Sequence, residues 1–208
     1  MRDNGKFIYT FERDSFCSGK IEGNYKIENK KIKYINKLKN KKFRDEEGIF
    51  VIETKHLIEE AYKSGFLTEL YLVDTNIESN ILEDDKINKY QITEEIMNKI
   101  SSLESPSNFL GLVKKLPTLN YGNRLLILDN IQDPGNVGTL LRSAAAAGIE
   151  QVVCTKGSAS IWSPRVLRAG MGAHFSLNTY ENVELEDILT KFTIPVYVTG
   201  SHQSESLY

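Results

Sequence analysis

Little in this sequence marks it out at first reading. No apolar run approaches the ~18 residues that a membrane-spanning helix needs, and the opening twenty residues are polar and charged, without the apolar centre of a signal peptide. Cysteine is scarce: Cys17 and Cys154 are the only two, far apart and without metal-ligand spacing. They read as reduced thiols of a cytoplasmic protein. The sequence has no HExxH pair, no CxxC, no phosphate loop of the GxxxxGK type and no GxSxG elbow. The familiar zinc, kinase-like and hydrolase readings therefore lack support. With 208 residues, 40% hydrophobic, and a formal net charge of -2, the chain falls in the ordinary globular class. One large domain or two of about 100 residues each fit that length.

The near-neutral total hides an uneven distribution. Residues 26–44 hold nine lysines and arginines against the single acid Glu28, whereas residues 51–118 hold seven bases and twelve acids. Charge acts within a Debye length of ~8–10 Å, so the local cluster counts for more than the sum. Such a cluster is the footprint of a nucleic-acid contact. It is equally the solvated face of an amphipathic helix, because Ile32, Ile35 and Leu38 recur at helical spacing. The two readings are compatible.

Two α/β units follow from the patterning. In the first, a basic helix over 29–42 precedes a strand at 49–52 and a helix at 55–64 closed by Gly65. Strands at 69–73 and 89–92 come next, then a helix capped by Thr93 and a strand at 109–113. This alternation predicts an α/β/α layer. Residues 114–118, with Pro117, read as the linker. The second unit opens with Leu125-Leu126-Ile127-Leu128, an apolar run of the kind buried on both faces of a parallel sheet. A helix over 137–147, a strand at 151–154, helices at 164–171 and 184–192 and a strand at 195–198 complete it. Short strand–helix–strand links imply right-handed crossovers and parallel strands.

The segment richest in chemistry runs from Leu128 to Ala144, leaving a strand, turning through Asp133-Pro134-Gly135 and entering a helix. Ligands of parallel sheets bind where loops leave the carboxyl ends of strands. Asn136 reads as the N-cap, Gly135 and Gly138 leave room for a backbone or a ligand, and Arg142 falls about one turn into the helix. Its guanidinium can hold phosphate or favour an oxyanion. On spacing alone, an ordinary capped turn with a surface arginine explains the same residues.

The run Asn130-x-x-Asp133-Pro134-Gly135-Asn136-Val137-Gly138-x-x-x-Arg142-x-Ala144 resembles the first motif of the SpoU/TrmH family of RNA ribose 2′-O-methyltransferases, within the knotted SPOUT superfamily. Ser163-Pro164-Arg165-Val166-Leu167-Arg168-Ala169-Gly170-Met171-Gly172-Ala173 is similar to the segment that follows in that family. Residues 33–53 resemble its N-terminal substrate-binding domain, which is similar to ribosomal protein L30e. The resemblance spans about residues 26–200 and implies an extension at 1–25, an L30e-like RNA-binding domain at 26–117 and a SPOUT-type parallel α/β domain at 118–208.

The resemblance also implies chemistry. Arg142 would activate the ribose hydroxyl, because a close cation favours the developing alkoxide. Asn136 would shape the loop and help hold that arginine. Thr199, Gly200 and Ser201 would border S-adenosylmethionine, with no metal involved. Lys33, Lys37, Lys41, Lys42 and Arg44 would grip structured RNA, ribosomal rather than transfer RNA. Arg165 and Arg168 would contact phosphate or pair with neighbouring carboxylates. The family protein is expected to be a homodimer. Two later motifs, a Gly-x-Glu loop and a Ser-x-Asn-x-Ser segment that complete the knot and most of the cofactor pocket, do not occur in residues 1–208. The chain thus reads as part of a protein of roughly 250–270 residues, and a non-catalytic RNA-binding module is the alternative. A small-molecule α/β enzyme holding phosphate in the Asp133–Gly138 loop is a weaker rival. Of the remaining residues, His56, His174 and His202 read as surface or structural, Trp162 and Met171 as packing, and Ala144 to Ala147 as a helix set close to its sheet.

Overall fold

The computed structural model describes residues 21–22, 30–74, 77–115, 124–190 and 195–199. Its first half is a five-stranded mixed sheet in the order β1-β4-β3-β5-β2. The strands are β1 (Ile21–Glu22), β2 (Ile49–Ile52), β3 (Leu67–Leu72), β4 (Asn88–Gln91) and β5 (Phe109–Lys114). β1, β4 and β3 run parallel, and β5 is antiparallel to both β3 and β2. Alternation along the strands sorts the side chains between two cores. Leu70 and Leu72 face one way, with Leu57, Ile58 and Ala61 of α3 (Lys55–Lys63) and Ile81 and Leu82 of α4 (Ser79–Glu83). Tyr71 faces the other way, with Ile32 and Ile35 of α1 (Lys30–Lys37) and Ile96, Met97 and Ile100 of α5 (Glu94–Ile100). The α/β/α layering follows from that division. Thr93 caps α5 as its sequence predicts, accepting from the Ile96 N–H.

The helix expected over 29–42 is broken. α1 ends at Lys37, Asn40 is extended, and α2 (Lys41–Glu47) starts afresh with the Asn40 side chain accepting from the Phe43 N–H. An asparagine offers the backbone an alternative to the helical bond, so it restarts a helix more readily than it continues one. α2 then ends at Gly48, whose φ of 62° suits a residue without Cβ.

The second half is a parallel sheet in the order β6-β7-β8, formed by β6 (Leu125–Leu128), β7 (Gln151–Thr155) and β8 (Asn178–Val183). It carries α6 (Pro134–Ala146), α7 (Pro164–Gly170), a 3-10 turn at Ala173–Phe175 and α8 (Leu185–Leu189). Every residue of β7 is buried, as expected of a central strand. In β6 only Leu128 is buried; Leu125, Leu126 and Ile127 remain half-exposed because this strand is an edge among the described residues. β8 is a strand that its polar sequence concealed. It takes the place beside β7, and the strand expected at 195–198 does not enter the sheet. There Val196, Tyr197 and Val198 are 53%, 78% and 89% exposed.

One continuous core crosses from the first sheet to the second, running from Phe50 and Leu57 to Leu128, Trp162, Leu167 and Phe175. Trp162, just ahead of α7, sits 4.8 Å from the Phe50 ring of β2 and 6.4 Å from Phe66, while Phe66 lies 5.2 Å from Phe175.

Candidate active site and nucleic-acid face

The loop leaving β6 is tied to the loop leaving β7 by a set of short polar contacts. Thr155 Oγ1 accepts from the Asn130 N–H at 3.0 Å and donates to Asp129 at 2.7 Å. Ser158 Oγ accepts from the Ile131 N–H at 3.1 Å and donates to the Leu128 carbonyl at 3.1 Å, and the Ala159 N–H reaches the Ile131 carbonyl at 2.8 Å. Asn130 adopts a φ of 53°, a left-handed conformation asparagine tolerates, and a Cβ on Gly157 would stand 2.7 Å from its side-chain oxygen. Thr155, Gly157 and Ser158 escape sequence reasoning. The only hint of them is a cluster of small polar residues just past a strand.

Asp133, not Asn136, caps α6: its carboxylate accepts from the Asn136 N–H at 2.8 Å, and Pro134 takes the first helical position. A proline there leaves no N–H unsatisfied, so the cap belongs to the residue before it. The helix consequently begins three residues earlier than expected. Arg142 is its ninth residue, roughly 12 Å along the axis at 1.5 Å per residue, rather than one turn in. The field of the helix N-terminus fades within the first turn and does not act there. Six residues separate Asn136 from Arg142, which turns their side chains roughly 120° apart around the helix and sets them about 9 Å apart along it. Both are exposed, and among the described residues no hydrogen bond joins the two side chains. Arg142 is the one charged residue of α6, and among the described residues its guanidinium has no ion pair or hydrogen bond.

Gly138 admits a helix rather than a ligand. A Cβ there would lie 2.8 Å from the Ala169 carbonyl carbon and the Gly170 nitrogen, and closer still to the Ala169 methyl. Ala144 is buried as expected, but Ala146 and Ala147 are exposed, so only one side of the alanine run packs. On α7, Arg165 is exposed and Arg168 half-buried, and neither pairs with a carboxylate among the described residues. Met171 is 52% exposed and closes α7 with a φ of 49°.

On the first domain, Lys33, Lys37, Lys41 and Lys42 are all exposed, and only Lys42 meets an acid, Glu46 at 3.9 Å. Arg44 leaves this face. It is 5% exposed, and its Nη1 donates to the Leu38 and Lys39 carbonyls at 3.1 and 2.7 Å. Both carbonyls belong to the turn between α1 and α2, so the guanidinium joins the two short helices instead of reaching solvent. Burial holds its pKa below the usual arginine range, against the opposing pull of Asp45 and Glu181.

Thr199 is exposed, and Gly200 and Ser201 lie outside the described residues. S-adenosylmethionine needs walls around its adenosine. With residues 195–199 exposed throughout, the described residues do not enclose Thr199 and do not fit the cofactor there. Among the described residues no group of three His, Cys, Asp or Glu could hold a metal. Trp162 is 1% exposed and donates Nε1–H to Thr179 Oγ1 at 3.0 Å, so it packs rather than stacking on a base. His56 is exposed, His174 is fully buried and His202 falls outside the described residues. Burial, reinforced by Glu181, pushes the Cys154 thiol up to about 12, which makes it inert; Cys17 is likewise outside.

A parallel α/β domain with a braced loop at its carboxyl edge follows a lysine-faced α/β/α domain, so the chain is a two-domain α/β protein. Residues 29–111 match the MRM3-like substrate binding domain, and residues 123–208 match the SpoU rRNA Methylase family. The chain belongs to that family, carrying the substrate-binding domain ahead of its methylase domain. It is 34% identical over 174 residues to rRNA methyltransferase 3, mitochondrial, of Homo sapiens, a match covering 77% of this chain and 40% of that protein. It is 36% identical over 153 residues to the 23S rRNA (guanosine(2553)-2'-O)-methyltransferase RlmP of Bacillus subtilis (strain 168), covering 72% of this chain and 60% of that protein. A crystal structure of an RNA 2'-O ribose methyltransferase superposes with a TM-score of 0.65 at 27% identity, over 82% of this chain and 69% of the other. The chain thus spans 40% to 60% of the length of these two curated relatives.

Proposed function

We propose that the protein methylates a ribose 2′-hydroxyl of ribosomal RNA. One observation carries the reading: a single chain pairs an MRM3-like substrate-binding domain with a SpoU methylase domain. The methyl donor is S-adenosylmethionine, as the resemblance of the Asn130–Ala144 motif implies. The exposed basic residues support the RNA side of this reading. Lys33, Lys37, Lys41 and Lys42 present exposed positive charge to phosphates, and Arg165 extends it onto the second domain. Arg142, exposed and without a partner among the described residues on an otherwise uncharged helix, acts at the ribose, where its charge lowers the cost of losing the hydroxyl proton. The working form is a homodimer.

The test is transfer of tritium from methyl-labelled S-adenosylmethionine to a 23S rRNA transcript by the whole gene product. Mapping the modified nucleotide as a ribose methylation supports the reading. A label on a base, or no label from an enzyme that binds RNA, removes it. The exposure of Thr199 favours one second reading, a module that holds RNA without transferring methyl, and the same assay separates the two.

A further inference from the structure

We propose that Trp162 is a positioning residue, fixing the angle between the RNA-gripping domain and the helix that carries Arg142. The role rests on the methyl-transfer reading above. An unbroken series of packed groups connects the two. The indole lies 4.8 Å from Phe50 and 6.4 Å from Phe66 of the first domain, and 6.5 Å from Phe175 of its own. It is locked in rotation by the hydrogen bond from Nε1 to Thr179 on β8. The residue before it is held twice, the Ile161 N–H donating to Glu181 at 2.6 Å and its carbonyl meeting His174 Nε2 at 3.0 Å. The residues after it, Ser163 and Pro164, cap and open α7, and Pro164 shares a small crevice with Leu38 and Lys39 at the α1–α2 corner. α7 in turn is keyed to α6 where Ala169 and Gly170 fill the space above Gly138, four residues before Arg142. A movement at the indole therefore travels through α7 to the arginine without a compliant loop between them. Interiors packed this densely transmit displacement rather than absorbing it. An aromatic residue wedged between domains consequently sets which ribose a gripped RNA presents. A misplacement of about 1 Å at a reacting centre can cost about 100-fold in rate.

Two measurements test this. In the whole gene product, Trp162→Leu should leave the KM for rRNA within about twofold and lower kcat by about 10- to 100-fold. Methylation should also spread to neighbouring riboses, while Trp162→Phe, which keeps the contact with Phe50, should restore most of kcat and the single target. An unchanged kcat and target in Trp162→Leu overturns the proposal. Should that variant fail to fold, Phe50→Leu removes the ring on which the indole packs and leaves its hydrogen bond to Thr179 in place, and an unaltered kcat and target there overturns it equally. The second measurement needs no transfer. Trp162 is the single tryptophan of the 208-residue chain, so its emission reads the joint directly. The buried-indole emission maximum should stay in place when rRNA saturates the protein; a red shift means the joint opens, and the proposal fails. If the unaltered protein transfers no methyl at all, the proposed function falls, and the emission still decides the joint.

Discussion

Ala169 of α7 occupies the space that a side chain on Gly138 of α6 would need. The spacing Gly138-x-x-x-Arg142 therefore reflects a helix crossing and not an opening for a ligand. Adding a methyl at Gly138 forces the two helices apart, an overpacking of the kind that costs about 1–3 kcal/mol. Gly138→Ala should lower the melting temperature by several degrees in a thermal melt followed by circular dichroism. Ala169→Gly in the same chain should recover part of the loss, since the α7 backbone also crowds the site.

Arg142 should separate activity from stability. Its side chain is exposed and unpartnered among the described residues, so Arg142→Ala should leave the melting temperature within about 2 °C, as surface changes usually do. Methyl transfer should fall by about 100-fold or more, the loss expected when a charge at the reacting oxygen is removed. Unchanged turnover would take Arg142 out of the mechanism.

The basic residues should divide into two behaviours. Replacing Lys33, Lys37 and Lys41 together by alanine should leave the fold unchanged. It should flatten the dependence of log K for rRNA on log salt by about 2–3, at roughly 0.7–0.9 for each phosphate no longer neutralised. Arg44→Ala should do the reverse. It strips two hydrogen bonds from the α1–α2 junction and should cost about 2–3 kcal/mol in urea unfolding, with little change in the salt slope. A salt slope altered by Arg44→Ala alone would return that residue to the RNA face.

His174 should make the protein acid-sensitive. Burial depresses its pKa from 6.5 to about 4, and the carbonyl of Ile161 offsets little of this. Between those values the unfolded chain binds a proton that the folded chain refuses, so stability rises with pH across that window and is lost as pH falls through it. The loss by pH 4 is roughly 3 kcal/mol. Urea midpoints measured at pH 7 and pH 4.5 should differ by less in His174→Gln, even though that variant is weaker at pH 7. Equal differences in both proteins would assign the acid sensitivity to other groups.

Much of the first domain was legible because its signals are local. Ile32, Ile35 and Leu38 repeat at helical spacing and form one buried stripe, Thr93 precedes two acids and caps α5, and Leu70, Tyr71 and Leu72 alternate between the two cores. The segment from Asn130 to Ala144 was likewise recognisable, since its combination of residues is written contiguously. Asn40 was less transparent: an asparagine inside a lysine-rich helix is tolerated or breaks it, and the broken form is held by Arg44 reaching back to the Leu38 and Lys39 carbonyls of the turn between α1 and α2.

What the sequence by itself determined is the order of strands and helices, the position of the motif loop and the placement of positive charge near the amino end. Periodicity, capping and composition act between neighbours along the chain. The tertiary structure alone decided which polar segment becomes a strand, which arginine is buried and what Trp162 touches. β8 is polar in sequence and a strand only because β7 offers it backbone partners. Trp162 is a joint rather than a surface ring only because Phe50, more than a hundred residues earlier, comes to lie against it. Burial is a property of what packs around a residue, and the neighbours that bury these groups are far away in the chain.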